Sequence, residues 1–119
     1  MGKINFFLVW LFCFFPSTVF ADFRLSEYQK AKDSPTAKLY VMGTVEGILV
    51  ANNALSINGK DKLFCMPSTE QFIGEVLFAF LDLQIGLLSK NEKENNPSIA
   101  AIMMRGMQYA FPCEQTSGK

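Results

Sequence analysis

Any chemistry this chain performs would have to come from its cysteines and carboxylates, because it contains no histidine at all. Two of its three cysteines each sit beside a proline and an aromatic, in Phe64-Cys65-Met66-Pro67 and Phe111-Pro112-Cys113. The third, Cys13, lies in an apolar N-terminal run. No Cys-x-x-Cys spacing is present to support thiol catalysis. A bond between Cys65 and Cys113 would instead close a long loop, a constraint that stabilises by about 4 kcal/mol in the chain-entropy model. Set against the roughly 5–15 kcal/mol that holds a small domain together, that is a structural role.

The remaining groups point the same way. Without histidine there is no Ser–His or Cys–His nucleophile, and the commonest general base and metal ligand are missing. Glu75 and Asp82 fall two turns apart on one helical segment and read as solvated carboxylates. Asn58-Gly59-Lys60-Asp61 lacks the spacing of a phosphate-binding loop. Met103, Met104 and Met107 at helical spacing read as pliable core rather than a metal site. The expectation is a binding protein with no catalysis, no cofactor and no metal.

Elements must position those cysteines, and the first 21 residues are not among them. Lys3, the apolar run 4–15, the break at Pro16 and the small residues Val19 and Ala21 form the three-part pattern of a secretory signal peptide. The run is shorter than the roughly 20 residues of a spanning helix. Cleavage is expected after Ala21, leaving a domain over 22–113, a polar tail over 114–119 and a periplasmic location. Ten basic and eleven acidic residues then remain, a formal net charge of −1. So even a balance argues against nucleic acid or an anionic membrane surface as partner. Two cysteines in an exported chain form a natural pair.

The mature segment reads as a small all-α bundle of three to four helices bridged by that disulfide. Residues 22–32, with Leu25 and Tyr28 three apart, suggest a two-turn helix that docks loosely or frays. Ser34 caps and Pro35 opens a helix running to about Asn52, with Leu39, Met42, Val45 and Leu49 on its core face. Gly43 and Gly47 lie one turn apart within it, which suggests close approach of another helix. Asn58-Gly59 signals a turn, and 58–62 is expected to project as a polar loop, a short hairpin with arms at 55–57 and 62–64 being the alternative.

Pro67 begins the next helix, with Ser68 and Gln71 as a capping box, and it runs to about Leu88. From Phe72 to Leu88 its apolar residues cover roughly 240°, far wider than the ~100° stripe of an ordinary surface helix. This helix is therefore either central or builds an oligomer interface, which makes a homodimer one of the expected assemblies. Residues 89–96, containing Asn91, Glu92, Lys93 and Glu94, read as a solvated connector. Asn96-Pro97 opens the last helix, whose Ile99, Ile102, Met103, Met107 and Ala110 form a core face, with Ala100, Ala101 and Gly106 permitting close approach.

With these positions on the page, the chain resembles the Tai/Rap family of periplasmic immunity proteins. The matching motifs are Tyr40-x-x-Gly43-x-x-x-Gly47, Phe64-Cys65-Met66-Pro67 and Ala110-Phe111-Pro112-Cys113, in that order. The chain departs from the family in lacking an earlier cysteine pair, and Thr44 stands where an aromatic is usual. The resemblance implies a small all-helical protein, often dimeric, that blocks the active site of a type VI secretion peptidoglycan amidase, using a projecting loop and an adjoining helix surface. The loops available are Asn58, Gly59, Lys60, Asp61 and Lys62, and Asn91, Glu92, Lys93 and Glu94. A small periplasmic chaperone of the acid-stress type is the competing expectation, and an envelope protein held by an uncleaved N-terminus is a weaker third.

Overall fold

The computed structural model describes residues 23–67 and 72–114, and these form an all-helical fold closed by a Cys65–Cys113 disulfide. The expected signal peptide and cleavage after Ala21, the expected Ser68–Gln71 capping box and residues 115–119 of the tail lie outside the described residues. Among the described residues five helices follow one another: α1 (Leu25–Ala31), α2 (Pro35–Ile57), α3 (Glu75–Leu87), α4 (Lys90–Glu94) and α5 (Ile99–Ala110).

The last helix, α5, is the centre of the molecule, a place the sequence reading offered to the segment that becomes α3. It packs against both α2 and α3. Ile99, Met103 and Met107 are sealed from solvent, with Ile102 and Gly106 buried beside them. Gly106 lets α3 approach closely: a Cβ there would meet the Gln84 Cγ at 2.6 Å, so the Gln84 side chain would have to move aside. Gln84 opposite Gly106 and Phe80 opposite Phe111 set α3 and α5 antiparallel. Ala110, expected in the core, is exposed at the fraying end. The cap of α5 is also later than expected: Ser98 Oγ accepts from the Ala101 N–H, not Asn96.

Asn96 has a different task. Its φ of 48° lies in the left-handed region that asparagine tolerates, and its side-chain oxygen accepts from the Ser26 N–H at 2.9 Å. Leu25 N–H donates to Pro97 C=O and Ile99 N–H to Phe23 C=O, each at 2.9 Å. These bonds fasten α1 to the start of α5, so α1 docks firmly, with Leu25 and Tyr28 buried. Tyr28 O–H donates to Asp82 of α3 at 3.2 Å, which gives that carboxylate a partner.

Helix α2 starts as expected, with Ser34 Oγ accepting from Ala37 N–H and Pro35 in the first turn. It ends five residues later than expected, and its core face is rotated from the expected one, keeping Val45 and, partly buried, Leu49 while leaving out Leu39 and Met42. Ala37, Val41, Val45 and Asn52 are buried, whereas Leu39 is 68% exposed. Apolar residues are spread around this helix, so periodicity alone did not single out a face. Gly43 and Gly47 consequently lie on the outside, where an added Cβ would meet nothing within 4 Å. The expectation that they admit a neighbouring helix within the fold is therefore corrected. Helix α3 likewise begins at Glu75, capped by Gly74 with φ 57°, rather than at Pro67.

Two measurements follow from this packing. Gly43→Ala and Gly47→Ala should each raise stability, by about 0.5–1 kcal/mol, since they remove helix-interior glycine without a clash. Gly106→Ala should lower it, and Gln84→Ala should recover part of the loss; urea denaturation distinguishes the three. Burial and then the Asp82 and Asp33 charges push the Tyr28 phenol up to about 12. The folded chain thus holds this proton where the unfolded chain, near 10, has lost it. Stability is full below pH 10 and should fall by on the order of 2 kcal/mol as pH climbs from 10 to 12, a slope that Tyr28→Phe should flatten.

Candidate partner-binding surface

The loop after α2 is built on a rigid stem. The α2 segment Ala51–Ile57 contains no glycine or proline, and Ala51, Ala54 and Leu55 favour helix, so the helix continues past Asn52 until Asn58-Gly59. Asn58 N–H returns to Ala54 C=O at 3.1 Å and Lys60 N–H to Leu55 C=O at 2.8 Å. Gly59 adopts φ 67°, a left-handed turn suited to glycine. Asn58, Gly59, Lys60, Asp61 and Lys62 are all exposed, as expected of a projecting polar loop, and no hairpin strand forms among the described residues. Ile57 and Leu63 flank it as exposed apolar side chains.

The far side of the loop is pinned by Asn52. Its amide nitrogen donates to Phe64 C=O at 2.9 Å and its oxygen accepts from Leu63 N–H at 2.8 Å. One buried carboxamide thus satisfies backbone groups of two adjacent residues, the Phe64 C=O in the interior and the Leu63 N–H at its half-buried edge. The Phe64 side chain is buried, and Cys65 N–H donates to Phe111 C=O at 2.8 Å. The disulfide completes the anchor with the two Cα atoms 4.8 Å apart. Around it lies an open cleft of about 550 Å³, lined by Ser56, Lys60, Asp61, Lys62, Cys65, Cys113 and Glu114.

The second candidate loop is not a connector but the short helix α4. Ser89 Oγ accepts from Glu92 N–H, and the Glu92 carboxylate accepts from Ser89 N–H. The other Glu92 oxygen pairs with Arg105 of α5. Led by the Arg105 hydrogen bond, these contacts hold the Glu92 carboxyl near 2, well below the usual carboxylate range. Glu92 therefore serves the fold, while Asn91, Lys93 and Glu94 are exposed. The two loops lie at opposite ends of α5, whose 12 residues span about 18 Å. They form two separate surfaces.

The 58–62 surface is the better prepared of the two for protein recognition. It offers two lysines, an aspartate, flanking apolar side chains and a backbone ordered before binding. It offers no activated nucleophile, since the thiols are joined. Among the described residues, no group of three or more Cys, Asp or Glu side chains could hold a metal ion. No described helix is long and apolar enough to cross a membrane. The sequence reading missed Asn52, Ile57 and Leu63. The Asn-Gly turn signals the end of the stem, but nothing local marks Asn52 as a buried clamp.

No family model matches the chain, and neither curated proteins nor solved structures provide a match.

The anchor predicts a graded loss of stability. Asn52→Ala leaves the Leu63 N–H and the Phe64 C=O without partners and should cost about 2–3 kcal/mol. Cys65→Ser with Cys113→Ser should cost about 4 kcal/mol through the freed loop. Urea titrations of oxidised and reduced protein would measure both, and free thiols in the oxidised sample would refute the second expectation.

Proposed function

We propose that this chain is an exported immunity-type protein that binds a secreted peptidoglycan amidase and occludes its active site, without catalysis of its own. The observation that carries the proposal is the 58–62 loop, held on one side by the α2 stem and on the other by the Asn52 clamp and the disulfide. A loop ordered in advance loses little conformational entropy on entering a cleft, which is what an occluding inhibitor requires. The motif order Gly43–Gly47, Phe64-Cys65-Met66-Pro67 and Phe111-Pro112-Cys113 supports the same reading through its resemblance to the Tai/Rap proteins. Export through the N-terminal signal, cleavage after Ala21 and residence in the periplasm belong to the proposal. An oxidising compartment is where the Cys65–Cys113 bond would persist.

In this reading, Lys60, Asp61 and Lys62 make the charged contacts and Ile57 and Leu63 the apolar ones, with the disulfide beneath them as support. Asn91, Lys93 and Glu94 at the opposite end are the lesser surface.

The test looks for a peptidoglycan amidase encoded beside this gene and pairs the chain with it, both directed to the periplasm of a host cell. Co-production should prevent lysis, and the purified chain should inhibit peptidoglycan hydrolysis. Lys60→Glu with Lys62→Glu should weaken binding about tenfold or more, a change of about 1.4 kcal/mol or more, while helicity is unchanged. Lysis that proceeds regardless of this chain would reject the proposal. Suppression of client aggregation at pH 2–3 by the same protein would then favour the acid-stress chaperone.

A further inference from the structure

The end of the molecule opposite the 58–62 loop holds a cavity of about 360 Å³ between α1 and the start of α2. Phe23, Ala31, Ala37 and Tyr40 supply its apolar walls, and Ser34 and Thr36 edge it. Among the described residues that line it, Glu27 alone carries a charge.

We propose that this cavity binds a small organic cation, a primary amine on an aromatic body, with the ammonium against Glu27 and the ring beside Phe23 and Tyr40. The first argument is charge. One Glu27 oxygen accepts from the Arg24 N–H at 2.9 Å, and no bond among the described residues engages the other. An anion is disfavoured twice. Glu27 repels it, and the start of α2 has few donors to offer. Pro35 has no N–H, the Ala37 N–H donates to Ser34 Oγ and the Lys38 N–H to Ser34 C=O.

The second argument is the aromatic pair. The Phe23 and Tyr40 rings stand 4.8 Å apart between centroids and are inclined at 55°. Such a wedge gives an apolar ring a surface to stack on, and an aromatic face attracts an ammonium within about 6 Å. The third argument is that the wedge is already built. The Phe23 N–H donates to the Tyr40 hydroxyl oxygen at 3.3 Å, its C=O accepts from the Ile99 N–H, and its ring meets buried Tyr28 edge-on at 6.3 Å. A preformed apolar cavity of this size with one placed polar group is what small-molecule sites offer. The cleft between α3 and α5 is the poorer candidate for a charged ligand, because its Arg105 is already paired with Glu92.

This inference goes beyond the proposed immunity function. The 23 residues of α2 set the cavity about 34 Å from the loop, and the test needs no amidase. Titrating the purified protein with benzylamine at neutral pH should give saturable amide NMR shifts at Phe23, Glu27, Ala31 and Tyr40, with a Kd below about 1 mM. Benzyl alcohol, the same shape without the charge, should bind about tenfold more weakly, and benzoate should not bind. Glu27→Gln keeps the helix cap, since glutamine serves in the same capping position. It should weaken benzylamine about tenfold and leave benzyl alcohol unchanged. Ala31→Leu, which fills the cavity while favouring helix, should abolish binding of both. No saturable binding of benzylamine, benzoate binding as tight as the amine, or amine binding insensitive to either variant would overturn the proposal.

Discussion

The fold depends most on one junction, where Asn52, Phe64, Phe111 and the disulfide meet. The Phe64 C=O enters the interior and the Leu63 N–H its half-buried edge, and a buried group left unpaired there would cost about 1–3 kcal/mol. The Asn52 carboxamide supplies both partners from the inner face of α2. Phe64 fills the space beneath, Cys65 N–H pairs with Phe111 C=O, and the Cys65–Cys113 bond then joins this segment to the residues just past α5. Three stretches distant in sequence converge there. The aromatic rings of Phe72, Phe80 and Phe111 close the same end of the molecule, with Phe72 and Phe80 edge-on at 4.9 Å.

The other end has its own lock, and α5 runs between the two. There Asn96 turns back through a left-handed conformation and presents its side chain to α1, while the Phe23–Ile99 and Leu25–Pro97 backbone bonds tie the two segments together. Phe23 and Tyr40 rings pack at 4.8 Å across this end. A central helix with small and flexible side chains suits this arrangement. Gly106 admits Gln84, and Met103 and Met107 adapt their shape to the helices on either side. Because the locks stand at opposite ends of α5, the two exposed polar segments they support are separated as well, and each reads as an independent surface.

What could be read from sequence was set by how far each signal reaches along the chain. The disulfide pairing followed from counting, and the α2 start from a serine–proline signature whose hydrogen bond is local. The Asn-Gly turn was equally legible, since only the turn itself demands that chemistry. The face of α2 was not, because Leu39, Met42, Val50 and Ile57 offer a second helical stripe and only the position of α5 chooses between them. Asn52 looked like a helix terminator because its partners, Leu63 and Phe64, are brought to it by tertiary structure. Gly43 and Gly47 looked like a packing motif for the same reason: spacing shows that two glycines share a face and is silent on what that face meets. For the candidate site, the exposed loop residues were identifiable, but the clamp that orders them was not.

The breadth of the apolar arc on α3 was a sequence signal for either a central helix or an oligomer interface, and the structure rules out the first. A central helix would be covered on every side, and α5 holds that place instead, leaving Val76, Leu83 and Leu87 in solvent. An apolar strip of this length on a nearly neutral chain has little charge repulsion to oppose association.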